Sequence, residues 1–295
     1  MQTQRVPVAP GVDLAVDRFL PVGPPARTEG TDPDRAGAPF VLVHGLASNA
    51  RLWDGVADAL AARGHAVATV DLRGHGRSSK PDGPYDMATV ADDVATVVEA
   101  LGFERPVVAG QSWGGNVVLE LGARRPELVR GIACVDGGWL EPSRRFETWE
   151  ACREQLAPPR FPGMRADHME AHIRTRHPDW PDSGIAGVLA NFEVHPDGTI
   201  APWLTFDRHI TVLRGLWDHH PSALYADLRV PVLLVPAEDR DGEPLWQKRD
   251  AVSAAESAIP RVRTRWFIGD HDIHAQFPDE LGKVMSELTR DGFFA

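Results

Sequence analysis

The sequence predicts an α/β protein with a doubly wound, mostly parallel sheet and a mainly helical segment inserted into it. From residue 40 onward, short apolar runs bounded by glycine alternate with helical patterns. Runs with little internal polarity are typical of parallel strands that helices cover on both faces. Alternation of strand and helix implies right-handed crossovers within one sheet.

The elements follow in chain order. Residues 12–19 alternate weakly like a strand, and residues 21–39, rich in Pro, Gly, Arg and Asp, suit a solvated loop. Trp53, Val56 and Leu60 share one helical face, as do the apolar residues from Met87 to Leu101 that follow a capping Asp86. The remaining predicted strands are residues 40–43, 65–70, 106–109, 131–135, 231–235 and 263–268.

One interval breaks this rhythm. Residues 137–229 separate two strands by far more than a crossover helix needs, and they hold five of the nine tryptophans. We interpret the interval as an inserted, mostly helical cap with a hairpin around residues 195–199. The predicted division is therefore a core in two parts, residues 1–138 and 227–295, around a cap at residues 139–226.

Composition excludes several functional classes. The chain has 295 residues and a formal charge of -11 from dispersed Asp and Glu, which disfavours nucleic acid and anionic membranes as partners. Residues 1–20 show no basic start followed by an apolar core, and no run of about 18 apolar residues appears, so we expect a cytoplasmic protein. Two cysteines are too few for a disulfide framework. The oligomeric state is left open.

The most informative stretch is Gly-Gln-Ser-Trp-Gly at residues 110–114. It follows a predicted strand and opens a predicted helix, which is the context of a nucleophile elbow. In such an elbow the serine, here Ser112, projects its hydroxyl from a strained turn, and the flanking glycines let neighbouring backbones approach. We therefore predict Ser112 to be a nucleophile.

At this point the chain resembles the α/β-hydrolases, over about residues 40–136 and 228–285. The strand at 41–43 ends in His-Gly, which in this family places the amide after the glycine, that of Leu46, in an oxyanion hole with the amide of Trp113. Residues 71–78 are similar to a family turn that is mainly structural. The resemblance thus assigns Arg73 and His75 no chemical role.

A serine needs a base, because its hydroxyl is almost never ionised near neutral pH. Family members carry a histidine after the last strand, and His271 matches that position, whereas His274 is expected to pack or fix the loop. A metal site built from Asp270, His271, Asp272 and His274 is a minor alternative, because no second ligand cluster supports it. We predict no metal and no cofactor.

The acid that orients the histidine has two candidate places in this family. After the strand at 231–235 the usual Gly-x-x-Asp is missing, because Arg240 stands where the acid is expected, so Asp239 or Asp241 would serve only if the loop shifts. After the strand at 131–135 stands Asp136, at a spacing from Ser112 similar to that in haloalkane dehalogenases. We favour Asp136 and keep Asp239 and Asp241 as alternatives.

The residues beside Ser112 indicate the chemistry. Ser-Trp-Gly resembles the Asp-Trp-Gly of haloalkane dehalogenases and epoxide hydrolases, with serine replacing aspartate. A serine that attacked an alkyl carbon would leave a stable ether, so acyl transfer remains. We predict a carboxylic ester or lactone hydrolase for bulky apolar or aromatic substrates, with Trp113, Trp139 and Gly45 contacting the substrate.

Other functions stay open. Carbon–carbon bond hydrolysis or a perhydrolase-like activity would use the same triad, and a receptor-like member of the family would keep the triad yet mainly bind its ligand. A dinucleotide-binding protein is disfavoured, since no Gly-x-Gly-x-x-Gly follows the first strands.

Overall fold

A large twisted sheet lies at the centre of the computed structural model, which describes residues 2–22, 37–238 and 244–294. The strands in the described ranges are β1 (Gln2–Ala9), β2 (Val12–Phe19), β3 (Phe40–Val43), β4 (Val67–Asp71), β5 (Val107–Gln111), β6 (Gly131–Val135), β7 (Phe192–Val194), β8 (Ile200–Pro202), β9 (Val232–Val235) and β10 (Val262–Thr264). Eight of these strands form the main sheet, while β7 and β8 pair separately as an antiparallel hairpin.

The strand order of the main sheet is β1-β2-β4-β3-β5-β6-β9-β10. From β4 to β10 all pairs are parallel, and only β1 and β2 run antiparallel to their neighbours. The order reverses direction at β3, so crossovers lie on both faces. The predicted doubly wound, mostly parallel fold is confirmed.

Helices cover both faces of the sheet and fill the inserted segment. Those in the described ranges are α1 (Asp54–Ala62), α2 (Met87–Leu101), α3 (Trp113–Arg124), α4 (Pro142–Arg145), α5 (Trp149–Leu156), α6 (Ala166–Arg176), α7 (Asp182–Leu189), α8 (Phe206–Trp217), α9 (Leu245–Ala258), α10 (Ile273–Gln276) and α11 (Pro278–Arg290). None of them is long and apolar enough to cross a membrane.

The pleat of the strands divides the core into two layers. In β3, Val41 and Val43 pack with the apolar faces of α2 and α3, whereas Phe40 and Leu42 pack with α1 and α11. Because successive strand residues point to opposite faces, both sides of a parallel strand must be apolar. This two-sided burial explains the continuous apolar runs in the sequence.

The two helices predicted from periodicity are present, and α2 shows why. The carboxylate of Asp86 accepts a hydrogen bond from the Thr89 amide at 2.9 Å and so caps the first turn. Gly102 ends the helix at φ +64, a conformation that favours glycine.

The boundaries of four predicted strands differ from the observed ones, and for two of them the structure shows the reason. The strand predicted at 65–70 begins at Val67, because His65 belongs to the preceding turn and its imidazole bonds Ala38 O and Ser286 Oγ. The strand predicted at 263–268 ends at Thr264, and only a single bridge from Phe267 to Ala237 follows. The second half of that prediction is wrong, and Ile268 is three-quarters exposed.

The chain between β6 and β9 is mainly helical, with α4 to α8 and the β7–β8 hairpin. The turn of this hairpin lies where the sequence predicted it, with the His195 amide donating to Thr199 O at 2.8 Å. Gly198 adopts φ +82 there. The division of the chain at residues 139 and 226 stays a prediction.

Candidate active site

The residues predicted to carry chemistry follow the carboxyl ends of neighbouring strands. Gly45 and Leu46 come after β3, Ser112 after β5 and Asp136 after β6, while His271 lies in the loop beyond β10. The carboxyl ends of parallel strands share one edge of the sheet, where ligand sites of such folds collect.

Ser112 occupies a tight turn between β5 and α3. Its backbone has φ +53 and ψ −121, outside the regions that side chains ordinarily allow. A Cβ on Gly110 would collide with Gly114 O, and one on Gly114 with His44 O, so both glycines are needed for the approach of these backbones. The turn has the strand–serine–helix form of a nucleophile elbow.

His271 and Asp136 are in direct contact. The Nδ1 atom of His271 lies 2.6 Å from Oδ2 of Asp136. Since a carboxylate can only accept, Nδ1 carries the hydrogen, and Nε2 is left to accept a proton. The Asp136 side chain is 2% exposed and that of His271 is 45% exposed, so the candidate base is half-exposed while its acid is buried.

The contact shifts the pKa values of both partners. Atoms packed around His271 disfavour its charged form, but the hydrogen bond and the charge of Asp136 outweigh them and raise its pKa above the usual range. Burial alone would raise the pKa of Asp136, yet its hydrogen bond to His271 and the neighbouring cations hold it below the usual range. Asp136 is therefore charged at neutral pH.

Asp136 has two further partners. Its Oδ1 accepts from the Ala237 amide at 2.9 Å, and both carboxylate oxygens accept from Lys248 Nζ at 2.9 Å. Sequence reasoning missed Lys248, because a lysine in a polar helical stretch is most often a solvated residue. The alternative acids Asp239 and Asp241 lie outside the described residues.

The predicted oxyanion donors are the backbone amides of Leu46 and Trp113. Within the described part of the chain, the N–H groups of Leu46 and Trp113 have no hydrogen-bond acceptor. The peptide that carries the Leu46 amide is fixed from its other side, because Nδ1 of His44 donates to Gly45 O at 2.7 Å. Paired donors of this kind can stabilise an oxyanion.

His44 itself is buried and neutral. Burial lowers its pKa to about 4. Its Nε2 can therefore accept from the Leu72 amide at 2.9 Å. His75 supports the same loop, since its Nε2 accepts from the Ala47 amide at 3.3 Å. Both imidazoles are buried and hold the backbone of the loop after β3 through these hydrogen bonds.

The residues predicted to contact the substrate are largely buried. The Trp113 indole stacks on His75 with ring centroids 5.4 Å apart, and Trp139 is 5% exposed. Neither indole N–H has a partner among the described residues. Gly45 packs against Gln111 and Ser112, where a Cβ would be too close to both. Substrate contact by these three residues stays a prediction.

Arg73 and His274 lie apart from the chemistry. The Arg73 guanidinium forms a two-pronged ion pair with Asp93 at 2.5 and 2.6 Å, and both side chains are buried. His274 is wholly buried against Trp53, with ring centroids 4.5 Å apart.

Two of the four residues of the minor metal hypothesis bind partners outside that group. Asp270 accepts from His177 Nδ1 and from Trp180 Nε1, each at 2.8 Å, while His271 bonds Asp136. Across residues 2–22, 37–238 and 244–294, no group of three His, Cys, Asp or Glu side chains could hold a metal ion.

Comparisons with known proteins agree with the fold. The family model described as alpha/beta hydrolase fold matches residues 38–188. A putative carbamate hydrolase, RutD, of Azorhizobium caulinodans is 31% identical over 85% of this chain and 90% of its own length. The 2-(acetamidomethylene)succinate hydrolase of Mesorhizobium japonicum is 29% identical over 70% of this chain and 72% of its own.

Solved structures show the same fold over nearly the whole chain. The crystal structure of E-2-(acetamidomethylene)succinate hydrolase aligns with a TM-score of 0.74 at 22% identity, over 97% of this chain and 98% of that one. A thioesterase domain from the curacin biosynthetic pathway aligns with a TM-score of 0.75 at 17% identity, over 97% and 99%. The chain belongs to the α/β-hydrolase fold family, and it is a hydrolase.

Proposed function

We propose that the protein hydrolyses carboxylic esters or lactones through an acyl-enzyme on Ser112. The observation that carries the proposal is the 2.6 Å contact between His271 and Asp136, at the sheet edge that also holds Ser112. With Nδ1 committed to the carboxylate, Nε2 is the atom that can take the serine proton.

The steps follow from this arrangement. Ser112 Oγ attacks the substrate carbonyl carbon as its proton passes to His271 Nε2, and the amides of Leu46 and Trp113 hold the oxyanion. The carbon–oxygen bond then breaks, and His271 returns the proton to the departing alcohol. Water repeats the sequence on the acyl-enzyme, which releases the acid and restores the serine.

The proposed substrate class rests on the apolar side chains near Ser112. Trp113 and Trp139 supply apolar side chains beside the serine turn, and because they are 0% and 5% exposed, substrate contact requires them to be uncovered on binding. Many aromatic residues of the inserted segment pack on one another instead, as in the edge-to-face pairs Trp149–Trp217 and Phe161–Phe192. We therefore assign substrate contact to the aromatic residues nearest the serine.

A second candidate is hydrolysis of an amide or a carbamate on the same triad. The relatives at 31% and 29% identity favour it, because one is named a putative carbamate hydrolase and the other a 2-(acetamidomethylene)succinate hydrolase. Such reactions use the same acyl transfer, with nitrogen in place of oxygen in the leaving group.

The test is turnover of a substrate panel by the purified protein. The panel comprises short and long aryl esters, an aromatic lactone, a carbamate, an N-acyl enamide and a vinylogous diketone. We expect ester or lactone to be preferred, and Ser112→Ala to lower turnover by about a thousandfold or more. Ser257→Ala is the matched control, since that hydroxyl donates to Ser253 O on the exposed side of α9.

Each outcome is decisive for the assignment. Preference for the carbamate or the enamide would move the second candidate to the front, and turnover of the diketone alone would favour carbon–carbon bond hydrolysis. If Ser112→Ala keeps the activity, or if no panel member is turned over, the acyl-transfer proposal is wrong. Tight binding without turnover would then favour a receptor-like protein.

A further inference from the structure

The carboxylate that faces the candidate base is shared with a buried lysine. Nζ of Lys248 lies 2.9 Å from both oxygens of Asp136 and 2.9 Å from Ala237 O. The lysine is 6% exposed. Its ammonium thus has three acceptor contacts, all at the loops that follow β6 and β9.

The position of Lys248 in α9 is unfavourable without Asp136. It begins the buried stripe of that helix, which continues with Val252 and Ala255. A buried ammonium loses its hydration, and the first turn of a helix repels a cation through the helix dipole. Among the described residues, the carboxylate of Asp136 and the carbonyl of Ala237 accept from the ammonium, and the charge of Asp136 offsets both effects.

Lys248 also changes what Asp136 does to His271. In a triad of serine, histidine and acid alone, the full negative charge of the acid favours the imidazolium. Here a cation contacts the same carboxylate on the oxygen that accepts from His271. The field of Asp136 at the imidazole is therefore partly cancelled.

We propose that Lys248 is a positioning residue of the triad, which holds the Asp136 carboxylate against His271 and offsets part of its negative charge at the imidazole. The inference rests on the triad role proposed above. Helix α9 thereby contributes a cation to a site whose other residues follow the ends of strands.

The charged groups around His271 determine the expected pH effect. Asp136 and Asp272 favour its charged form, whereas Lys248 disfavours it. His274, in α10, has a pKa lowered to about 3 by burial and carries no charge near neutral pH. Removal of the Lys248 charge therefore raises the pKa of His271. The acidic side of the pH–rate profile, where activity falls as His271 takes up a proton, then moves to higher pH.

The experiment follows the pH dependence of Ser112 modification by a fluorophosphonate, which needs a neutral His271 but no natural substrate. We compare wild type with Lys248→Met and Lys248→Gln, which lack the charge, and with Lys248→Arg, which keeps it. We expect the two neutral variants to lose about tenfold more rate at pH 6 than at pH 8.5, relative to wild type. The modification rate of Lys248→Arg should fall at the same acidic pH as that of the wild type.

Arg249→Met is the matched control. Arg249 follows Lys248 in α9 and forms an ion pair with the partly exposed carboxylate of Glu238. Glu238 is the residue after Ala237. Loss of Arg249 removes a cation from the same helix without touching Asp136, so the acidic side of the profile should not move.

Several results would overturn the inference. A uniform loss of rate at every pH, with the acidic side of the profile unmoved in the neutral variants, would reduce Lys248 to a structural residue. So would the failure of both neutral variants to fold. If the wild type is not modified at Ser112 at all, the proposed function itself is wrong, and the two failures are thereby distinguished.

Discussion

At the scale of single residues, burial and the nearest charge decide what each histidine can do. His44 and His274 are wholly enclosed, and burial lowers their pKa values to about 4 and about 3. His271 has a raised pKa, because Asp136 faces its Nδ1. The same side chain is thus a neutral structural group in two places and a candidate base in the third.

His274 gives a test of this distinction that is independent of activity. Its imidazole nitrogens have no partner among the described residues, and its ring packs on Trp53. In the unfolded chain, His274 takes up a proton as pH falls below about 6.5. In the folded protein its pKa is lowered to about 3, so it stays neutral over that range and the wild type loses stability. His274→Phe removes this loss.

We expect the unfolding free energy of His274→Phe, relative to wild type, to rise by about 1.4 kcal/mol between pH 7.5 and pH 5.5. Urea unfolding at the two pH values measures it. An identical difference at both pH values would mean that the buried imidazole titrates normally.

The site residues differ in how well sequence could predict them. Ser112 and its glycines form a continuous motif, because the elbow needs them adjacent in the chain. The contact of His271 with Asp136 spans 135 residues, and family resemblance supplied its two positions. Lys248 has no such pattern, since only the folded chain shows that its helix position faces a buried carboxylate.

At the scale of elements, one set of contacts joins the inserted segment to the histidine loop. Oδ2 of Asp270, the residue before His271, accepts from both His177 and Trp180. Nε2 of Gln276 donates to Asp179 at 2.5 Å. The chain between α6 and α7 is therefore tied to the loop that carries the base.

We expect Asp270→Ala to loosen this junction. Loss of two hydrogen bonds to a partly exposed carboxylate should lower the local opening free energy by about 1 kcal/mol, so amide exchange at residues 177–190 should quicken roughly fivefold. Hydrogen-exchange mass spectrometry measures this. Asp182→Ala is the control, because its carboxylate pairs with Arg174 inside the inserted segment. An equal response of both variants would contradict a specific junction.

Elements were predictable where local signals and burial agree. The capping Asp86 and the apolar stripe after it mark α2, and the apolar runs mark the central strands. β1 escaped prediction because it is an edge strand with mostly exposed side chains, in which Val6 alone is buried. β10 ends early because the chain leaves the sheet to reach the histidine loop.

At the scale of the whole molecule, a buried ion pair fastens the loop after β4 to helix α2. Arg73 contacts Asp93 with two nitrogens and also donates to Pro84 O at 2.9 Å. Burial raises the pKa of Asp93, and the guanidinium opposes that rise. A buried pair is costly to break, because the remaining charge has no water.

Arg73→Met should lower the unfolding free energy by about 3–5 kcal/mol, and the double variant Arg73→Met/Asp93→Leu should recover most of it. Denaturant unfolding measures both. Arg124→Met, which breaks an exposed pair with Asp92, should cost about 1 kcal/mol or less. A single variant as stable as wild type would show that the pair contributes little to the fold.

At Ser112, the backbone conformation that suits the proposed reaction lowers the stability of the fold. A non-glycine residue at φ +53 raises the energy of the native state by roughly 1–3 kcal/mol, and glycine would relieve most of it. A population of variants screened only for heat resistance would therefore accept glycine at this position. With Ser112 as the proposed nucleophile, thermostability scores would then rank a variant without that nucleophile above the wild type, so engineering of this chain has to select for turnover and for stability together.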